Sequence, residues 1–523
     1  MSLYSEHYDL AVIGGGITGA GVAFDAVKRG LSVALFEQND FGGGASTATS
    51  KLAHGGLRYL EQFKFKLVRE SLNERNYLLS SASHLVKPLQ FYVPLYKHGK
   101  WKPWQLSIGL KVYDLLQTSR VLPKHDMLRV KRLKADVPWL KTDDLIGCGS
   151  YYDAQMEDHR LVIETLLMAH QDGAKINNYS KVTDLSKTSS GVSFDVTSMN
   201  GNSETVSASA VMVATGAWNN QFSKNSLVKP TKGIHIVLPD MDLSVALLLM
   251  TPQDNRVFFV MPWQGKTLIG TTDTSDDYRY SSPIVSQAEV QYLIDALNAH
   301  TIHRTWQLTD VESVFCGYRP LISTTENVPE SQSREETYTW LNEGVLSISG
   351  GKYTTFRQMA KNAMDAMIKT QFSNRKDLGK SWKDEQYIGY LGVDQWPSET
   401  QLNQLNQRYH LQRESILHLI DTYGNLYKDI LNTRTYHPEY SVRFDIGYPM
   451  IIAELKYAIS KEWVKTPADF LFRRTYYGYL YANQPEIVKA ITLRFYQIMN
   501  LPIPDIDQVV AKMLMKVKYQ TNA

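Results

Sequence analysis

Cysteine is scarce in this 523-residue chain. Only Cys148 and Cys316 occur, too few for a disulfide scaffold and in keeping with a reducing compartment. Long hydrophobic runs are absent too. The longest clean apolar stretch covers residues 245–250, whereas a membrane-spanning helix needs about 20 apolar residues. Residues 1–7 show neither a basic start nor an apolar core, so neither a signal peptide nor an Arg-rich transit peptide is expected. Charge of one sign is not in excess, with 56 Lys+Arg against 53 Asp+Glu. There is no repeat with a period of about 20–50 residues and no low-complexity tract. The chain has no Cys/His metal-ligand spacing, no Gly-x-Ser-x-Gly elbow and no nucleophile triad, so no resident metal is expected. What is there, 43% hydrophobic and 21% charged, is globular in composition. Its length suits about two to four domains.

The near-neutral total hides one uneven stretch. Residues 97–141 carry eleven Lys and Arg against Asp114, Asp126 and Asp136, a net of +8, with Trp101, Trp104 and Trp139 among them. Basic residues followed by Trp, Leu and Ile suit the headgroup boundary of an anionic membrane, where each basic residue adds about 1 kcal/mol. A solvated basic rim around the entrance of an anionic substrate is the competing reading. The stretch lacks the regular aromatic and basic alternation of a strand-binding groove, so no nucleic acid partner is expected.

Periodicity outlines the domains. A strand over 8–13, a glycine turn, a helix to about residue 29 and a strand over 31–37 make a βαβ unit. A helix is expected over 158–172, ending at Gly173. Hairpins are expected at 192–209, turning on Asn200-Gly201, and at 257–270, turning on Gln264-Gly265. Beyond about residue 386 strand signals thin out, and 415–423 and 448–463 look helical.

Gly14-Gly15-Gly16-Ile17-Thr18-Gly19 follows the first strand and opens the first helix, and Glu37 ends the second strand. That is the dinucleotide fingerprint: Gly14 for the tight turn, Gly16 for backbone approach to the pyrophosphate, Gly19 for close packing, and Glu37 for a ribose hydroxyl. Two further apolar strands end in glycine, at Ala214-Thr215-Gly216 and Gly350-Gly351. Three such ends spread along the chain suit one large cofactor, FAD, threaded by a discontinuous domain.

Residues 46–61, Ser-Thr-Ala-Thr-Ser-Lys-Leu-Ala-His-Gly-Gly-Leu-Arg-Tyr-Leu-Glu, strongly resemble one family, the FAD-dependent glycerol-3-phosphate dehydrogenases. The resemblance continues at 232–237, 269–273, 317–321 and 350–355, and reaches 453–458 and 469–475. It implies an α/β fold with a Rossmann-like FAD-binding domain over 1–90, 151–230 and 315–385. An antiparallel-sheet substrate domain of the glutathione-reductase/amino-acid-oxidase kind would take 91–150 and 231–314, and a helical C-terminal domain 386–523. It also implies oxidation of sn-glycerol 3-phosphate to dihydroxyacetone phosphate, with electrons passed to membrane quinone in the dehydrogenases and to oxygen in the oxidases. Only residues 322–349 separate the Arg-Pro-Leu and Gly-Gly-Lys motifs, without the insertion of the oxidases, which favours a dehydrogenase on the cytoplasmic face of the cell membrane.

A phosphate monoester needs cations, and Arg58, Arg319 and Lys352 lie in matching motifs. Removing the C2 hydroxyl proton needs a base, for which His54 and His235 are the candidates, both left open. Tyr59 and Thr272 are candidate hydroxyl contacts. For FAD the candidates are Gly14, Gly16, Gly19, Glu37, Ser46, Thr47, Ser50, Lys51, Val182, Ala214, Gly216 and Gly351. Competing readings are an oxidase, an FAD enzyme for another 2-hydroxy acid or an amine, and a flavin-binding protein without turnover. The aromatic run 476–481, beside Arg473-Arg474, fits a homodimer interface, a membrane contact or simple packing.

Overall fold

In the computed structural model the described residues are 7–119, 121–223, 228–275, 282–322, 335–385, 389–392, 396–433, 438–445 and 447–521. The apolar run His7–Ile13 is a strand buried throughout from Leu10 onward. A strand so uniformly apolar belongs in the middle of a parallel sheet covered on both faces. It pairs in parallel with Ser203–Val213 on one side and Val33–Phe36 on the other. The sheet runs Glu336–Asn342, Val345–Gly350, Ser203–Val213, His7–Ile13, Val33–Phe36, Lys175–Asn177. The three glycine-bearing ends, far apart in sequence, are thus the carboxyl ends of three neighbouring strands. Such an edge is where open α/β sheets bind ligands.

The second sheet has ten strands and is mostly antiparallel. Its working part is Thr231–Pro239, flanked by Lys266–Gly270 and Ser313–Arg319. Both expected hairpins form, turning at Gly201 (φ +81°) and at Gln264-Gly265 (φ +52° and +70°). Residues 315–319, expected with the first domain, lie in this second sheet because Ser313–Arg319 pairs along Thr231–Pro239. Leu52–Ala53 also joins it, against Leu145–Met156.

The expected domain start at residue 386 lies outside the described residues. Among the described residues no strand beyond isolated bridges follows Val345–Gly350; helices such as Arg413–Tyr423, Ile452–Lys461 and Pro485–Ile498 take over. This region does not stand apart. Ile416, Ile420 and Tyr423 share a buried cluster with Leu10 and Phe356, while Phe470 and Leu471 share another with Leu89 and Trp263. The aromatic run is part of that packing, with Tyr476, Tyr477 and Tyr481 buried. Cys148 and Cys316 are both free thiols.

Candidate active site

At the first sheet's edge, Gly14 (φ +109°) leaves no room for a side chain, since a Cβ would lie 2.5 Å from the Ala214 carbonyl oxygen. A Cβ on Gly19 would lie 1.9 Å from the carbonyl oxygen of Gly14, so the helix Ile17–Lys28 closes tightly on the turn. Gly16 caps that helix without a side chain, and the Ile17 N–H donates to Ser46 Oγ (3.0 Å). Glu37 accepts the Gly15 N–H at 2.8 Å and the Asn39 N–H at 2.8 Å. Burial raises its pKa against the pull of those two bonds. A helix N-terminus whose cap residue has no side chain, a turn open to close approach and an acceptor carboxylate beside it are the groups a dinucleotide requires.

Asn219 joins the other two strand ends. Its Oδ1 accepts the Thr215 N–H (2.9 Å) and hydroxyl (2.6 Å), and its Nδ2 donates to Ser349 Oγ (2.9 Å). Ala214, Gly216 and Gly351 are thereby held at one edge. Thr47 donates to the Gly42 carbonyl (3.0 Å), bracing the glycine-rich loop. Val182 is a core residue packed among Tyr8, Ala34 and Phe194. Lys51 places its ammonium in a fully buried pair with Asp158 (2.9 Å).

On the second sheet, alternation puts His235 and Arg319 on the same face as Gly233 and Gly317. Glycine makes the space for both side chains. A Cβ on Gly270 would strike the His235 ring, and one on Gly233 would strike the Arg319 guanidinium. Arg319 donates to Asp273 Oδ1 (2.9 Å), Thr271 Oγ1 (2.7 Å) and the Thr272 carbonyl (2.9 Å). His235 stacks on Phe315 and shares its Nε2 with Ser50 Oγ at 2.9 Å. Burial, then the Arg319 and Lys51 charges, hold its pKa well below the usual histidine range, so it is neutral near pH 7. Gly317 sits directly on Ala48, which seats this face against the loop that follows Gly44.

The third group is built on residues 54–59. Lys352 Nζ lies 4.0 Å from the Tyr59 ring centre, and the Arg58 guanidinium carbon 5.2 Å from the same centre. Lys352 also donates to Ser71 Oγ (3.2 Å). Beneath them Asp153 accepts from Arg75 (2.6 Å), Tyr113 (2.9 Å) and the Gly55 N–H (3.3 Å), fixing the turn after His54. The backbone of His54 donates to Thr354 Oγ1 (3.3 Å). Ile322, three residues past Arg319, packs under Gly350, two before Lys352, which ties the segment carrying Arg319 to the one carrying Lys352.

Thr272 is not at the surface of this site. Its buried hydroxyl accepts the Ile234 N–H (3.1 Å), whereas the neighbouring Thr271 faces Arg319. Thr271, Asp273, Ser71 and Asn219 are the residues that sequence reasoning missed; the first two lie inside a motif already singled out at 269–273. Among the described residues no cluster of three or more His, Cys, Asp or Glu has a metal-site arrangement.

Residues 9–357 match the family described as FAD dependent oxidoreductase, and 386–497 match the C-terminal domain of alpha-glycerophosphate oxidase. The chain is 33% identical over 511 residues to the aerobic glycerol-3-phosphate dehydrogenase of Staphylococcus aureus, covering 93% of this chain and 89% of that one. The glycerol-3-phosphate dehydrogenase of Bacillus halodurans complexed with FAD superposes with a TM-score of 0.76 at 25% identity, over 99% of this chain and 97% of that one. The L-alpha-glycerophosphate oxidase of Mycoplasma pneumoniae with FAD bound shares the fold, with a TM-score of 0.57 at 15% identity over 72% of this chain and 97% of that one.

Proposed function

The chain belongs to the FAD-dependent glycerol-3-phosphate dehydrogenase family, with FAD as cofactor, and from that membership we propose that it oxidises sn-glycerol 3-phosphate to dihydroxyacetone phosphate. The observation that carries the substrate is the gathering of Arg58 and Lys352 on one ring, that of Tyr59. A dianionic phosphate calls for cations of this kind, and its charge would favour both.

FAD supplies the acceptor for the hydride leaving C2. Gly14, Gly16, Gly19, Glu37, Ser46, Thr47, Ser50, Ala214, Gly216 and Gly351 hold it, Lys51 acting through Asp158 and Val182 through its backbone alone. Arg58, Tyr59 and Lys352 take the phosphate. Arg319, oriented by Asp273 and Thr271, donates to the C2 oxygen as negative charge builds there. His235 is the better base of the two histidines, because burial beside Arg319 keeps it unprotonated and able to accept the hydroxyl proton. Its bond to Ser50 fixes the ring's orientation.

The electron acceptor is membrane quinone in this reading. Its support is a second apolar face on the helix Pro103–Leu115. Leu106, Leu110 and Tyr113 are buried on one side, while Trp104, Ile108 and Leu115 stay exposed on the other, with Lys111 between them. Such a face suits the boundary of a membrane that supplies quinone. The second reading, oxygen as acceptor, draws on the match at 386–497 to an alpha-glycerophosphate oxidase domain. Anaerobic addition of sn-glycerol 3-phosphate should bleach the flavin band, and a quinone should restore it. Bleaching by glycerol at an equal rate would refute the phosphate assignment; peroxide formed stoichiometrically in air would favour oxygen.

A further inference from the structure

The loop from Glu37 to Lys51 carries the hydroxyl groups proposed for the cofactor, those of Ser46, Thr47 and Ser50, and both of its ends are tied to one short run of the C-terminal region. At the near end, Asp40 is fully buried and accepts from Arg473 Nε (2.6 Å) and from Arg474 Nη1 and Nη2 (both 2.9 Å). Asn178 Nδ2 adds a fourth bond (3.0 Å). At the far end, Asp158 accepts from Lys51 Nζ (2.9 Å), Thr49 Oγ1 (2.7 Å) and the Tyr476 hydroxyl (2.9 Å). Lys51 Nζ also reaches the Thr47 carbonyl (2.6 Å), and lies 4.9 and 4.8 Å from the ring centres of Phe315 and Tyr476. Between the two anchors the Arg474 carbonyl accepts from His159 Nε2 (3.1 Å). The run ends a π-helical turn, Phe470–Arg474, a local geometry that recurs at functional sites.

We infer that residues 473–476 are a cofactor lock, by which the C-terminal region holds the flavin-bearing loop in its binding conformation. None of these side chains need touch FAD; they are positioning residues that act through Asp40, Lys51 and Asp158. The loop needs such a brace. It holds three successive glycines, 42–44, and Lys51 sits at φ +57°, in the left-handed region a side-chain-bearing residue rarely adopts. A loop so free when unbraced would spend binding free energy on becoming ordered. Because the ties are buried, cutting one leaves an unpaired charge or acceptor away from water, a larger loss than at a surface pair.

The test is FAD affinity of the full-length apoprotein, read by flavin fluorescence, for Tyr476→Phe and Arg474→Lys, with Tyr481→Phe as a buried control in the same aromatic run that touches neither anchor. Expected is a rise of about tenfold in the FAD dissociation constant for Tyr476→Phe, a larger rise for Arg474→Lys, and no change for Tyr481→Phe. KM for sn-glycerol 3-phosphate at saturating FAD should stay at the wild-type value, because the cations around Tyr59 are untouched. Unchanged FAD affinity in both loop-anchor variants overturns the inference, as does an equal loss in all three, which would mark general destabilisation. Wild-type apoprotein that takes up no FAD would instead overturn the cofactor reading on which the lock rests.

Discussion

At the scale of single residues, function here depends on who already holds each polar atom. Arg319 spends its donors on Asp273 and Thr271, which fixes the guanidinium plane. Lysine cannot reproduce that fork, so Arg319→Lys should lower kcat/KM by about 100-fold, the worth of a charge-assisted bond of about 2–3 kcal/mol. Turnover near wild type would remove Arg319 from the C2 oxygen. The two adjacent threonines should separate cleanly. Thr271→Val should impair turnover, while Thr272→Val, which orphans the buried Ile234 N–H, should cost about 1–3 kcal/mol of stability and leave KM alone. The reverse pattern would exchange their roles. His235 has its charged form disfavoured by burial and by Arg319, so its folded pKa lies below the usual 6.5 and it stays neutral as pH falls through that value. The acid limb of flavin reduction at saturating substrate should therefore lie well below pH 6.5. A limb at or above that value rules His235 out as base.

At the scale of elements, the helix Pro103–Leu115 shows what a charge count misses. The basic block suggests that lysines lead the membrane contact, yet Lys100 pairs with Glu61 (2.8 Å) and Lys97 with Asp144 (3.3 Å). The exposed face of Trp104, Ile108 and Leu115 is the stronger candidate, Trp104 being 61% and Leu115 80% exposed. Trp104→Glu with Ile108→Glu should release the enzyme from anionic vesicles in a sedimentation assay, and should do so more completely than neutralising Lys97 and Lys100. Unchanged sedimentation would end the membrane reading of this helix. Among the described residues no helix is long and apolar enough to cross a membrane. The strands and turns were legible because their signals are local: Gly14 before its helix, Asn200-Gly201 between strands, Gln264-Gly265 in the second hairpin. Much of the site was legible only through quoted motifs, since pairing such as Thr231 with Arg319 joins residues that no periodicity links. Asp40 and Asp158 carried no signal of their role, and the aromatic run that holds Tyr476 fitted three roles alike, because an ordinary carboxylate or tyrosine reveals its burial only once the chain is folded.

At the scale of the whole molecule, the helical C-terminal region is bound into the same cores as the two sheets, through Ile416 and Tyr423 in one and Phe470 and Leu471 in the other. It is also bound by ions. Burial alone would raise the Asp40 carboxyl, but the Arg474 and Arg473 guanidiniums outweigh it and hold the pKa at about 2 against an ordinary 3.8. A carboxyl whose pKa is lowered on folding stabilises the folded state fully above its unfolded value. That stability is lost as pH falls from about 4 toward 2, and the shift corresponds to about 2 kcal/mol. Shared cores and a shared ion cluster should make the C-terminal region unfold together with the two sheets. Acidification below pH 4 should therefore release FAD, seen as a rise in flavin fluorescence, in the same transition in which the helical circular dichroism collapses. Replacing Asp40 with Asn should flatten that component of the acid transition, because the titrating carboxyl is gone, while lowering stability at neutral pH, where Arg474 loses its carboxylate and Arg473 keeps only Asp469. Two separated transitions, with helices melting while flavin stays bound, would show the C-terminal region to be an independent body, and its ties to the flavin loop to be incidental to holding the cofactor.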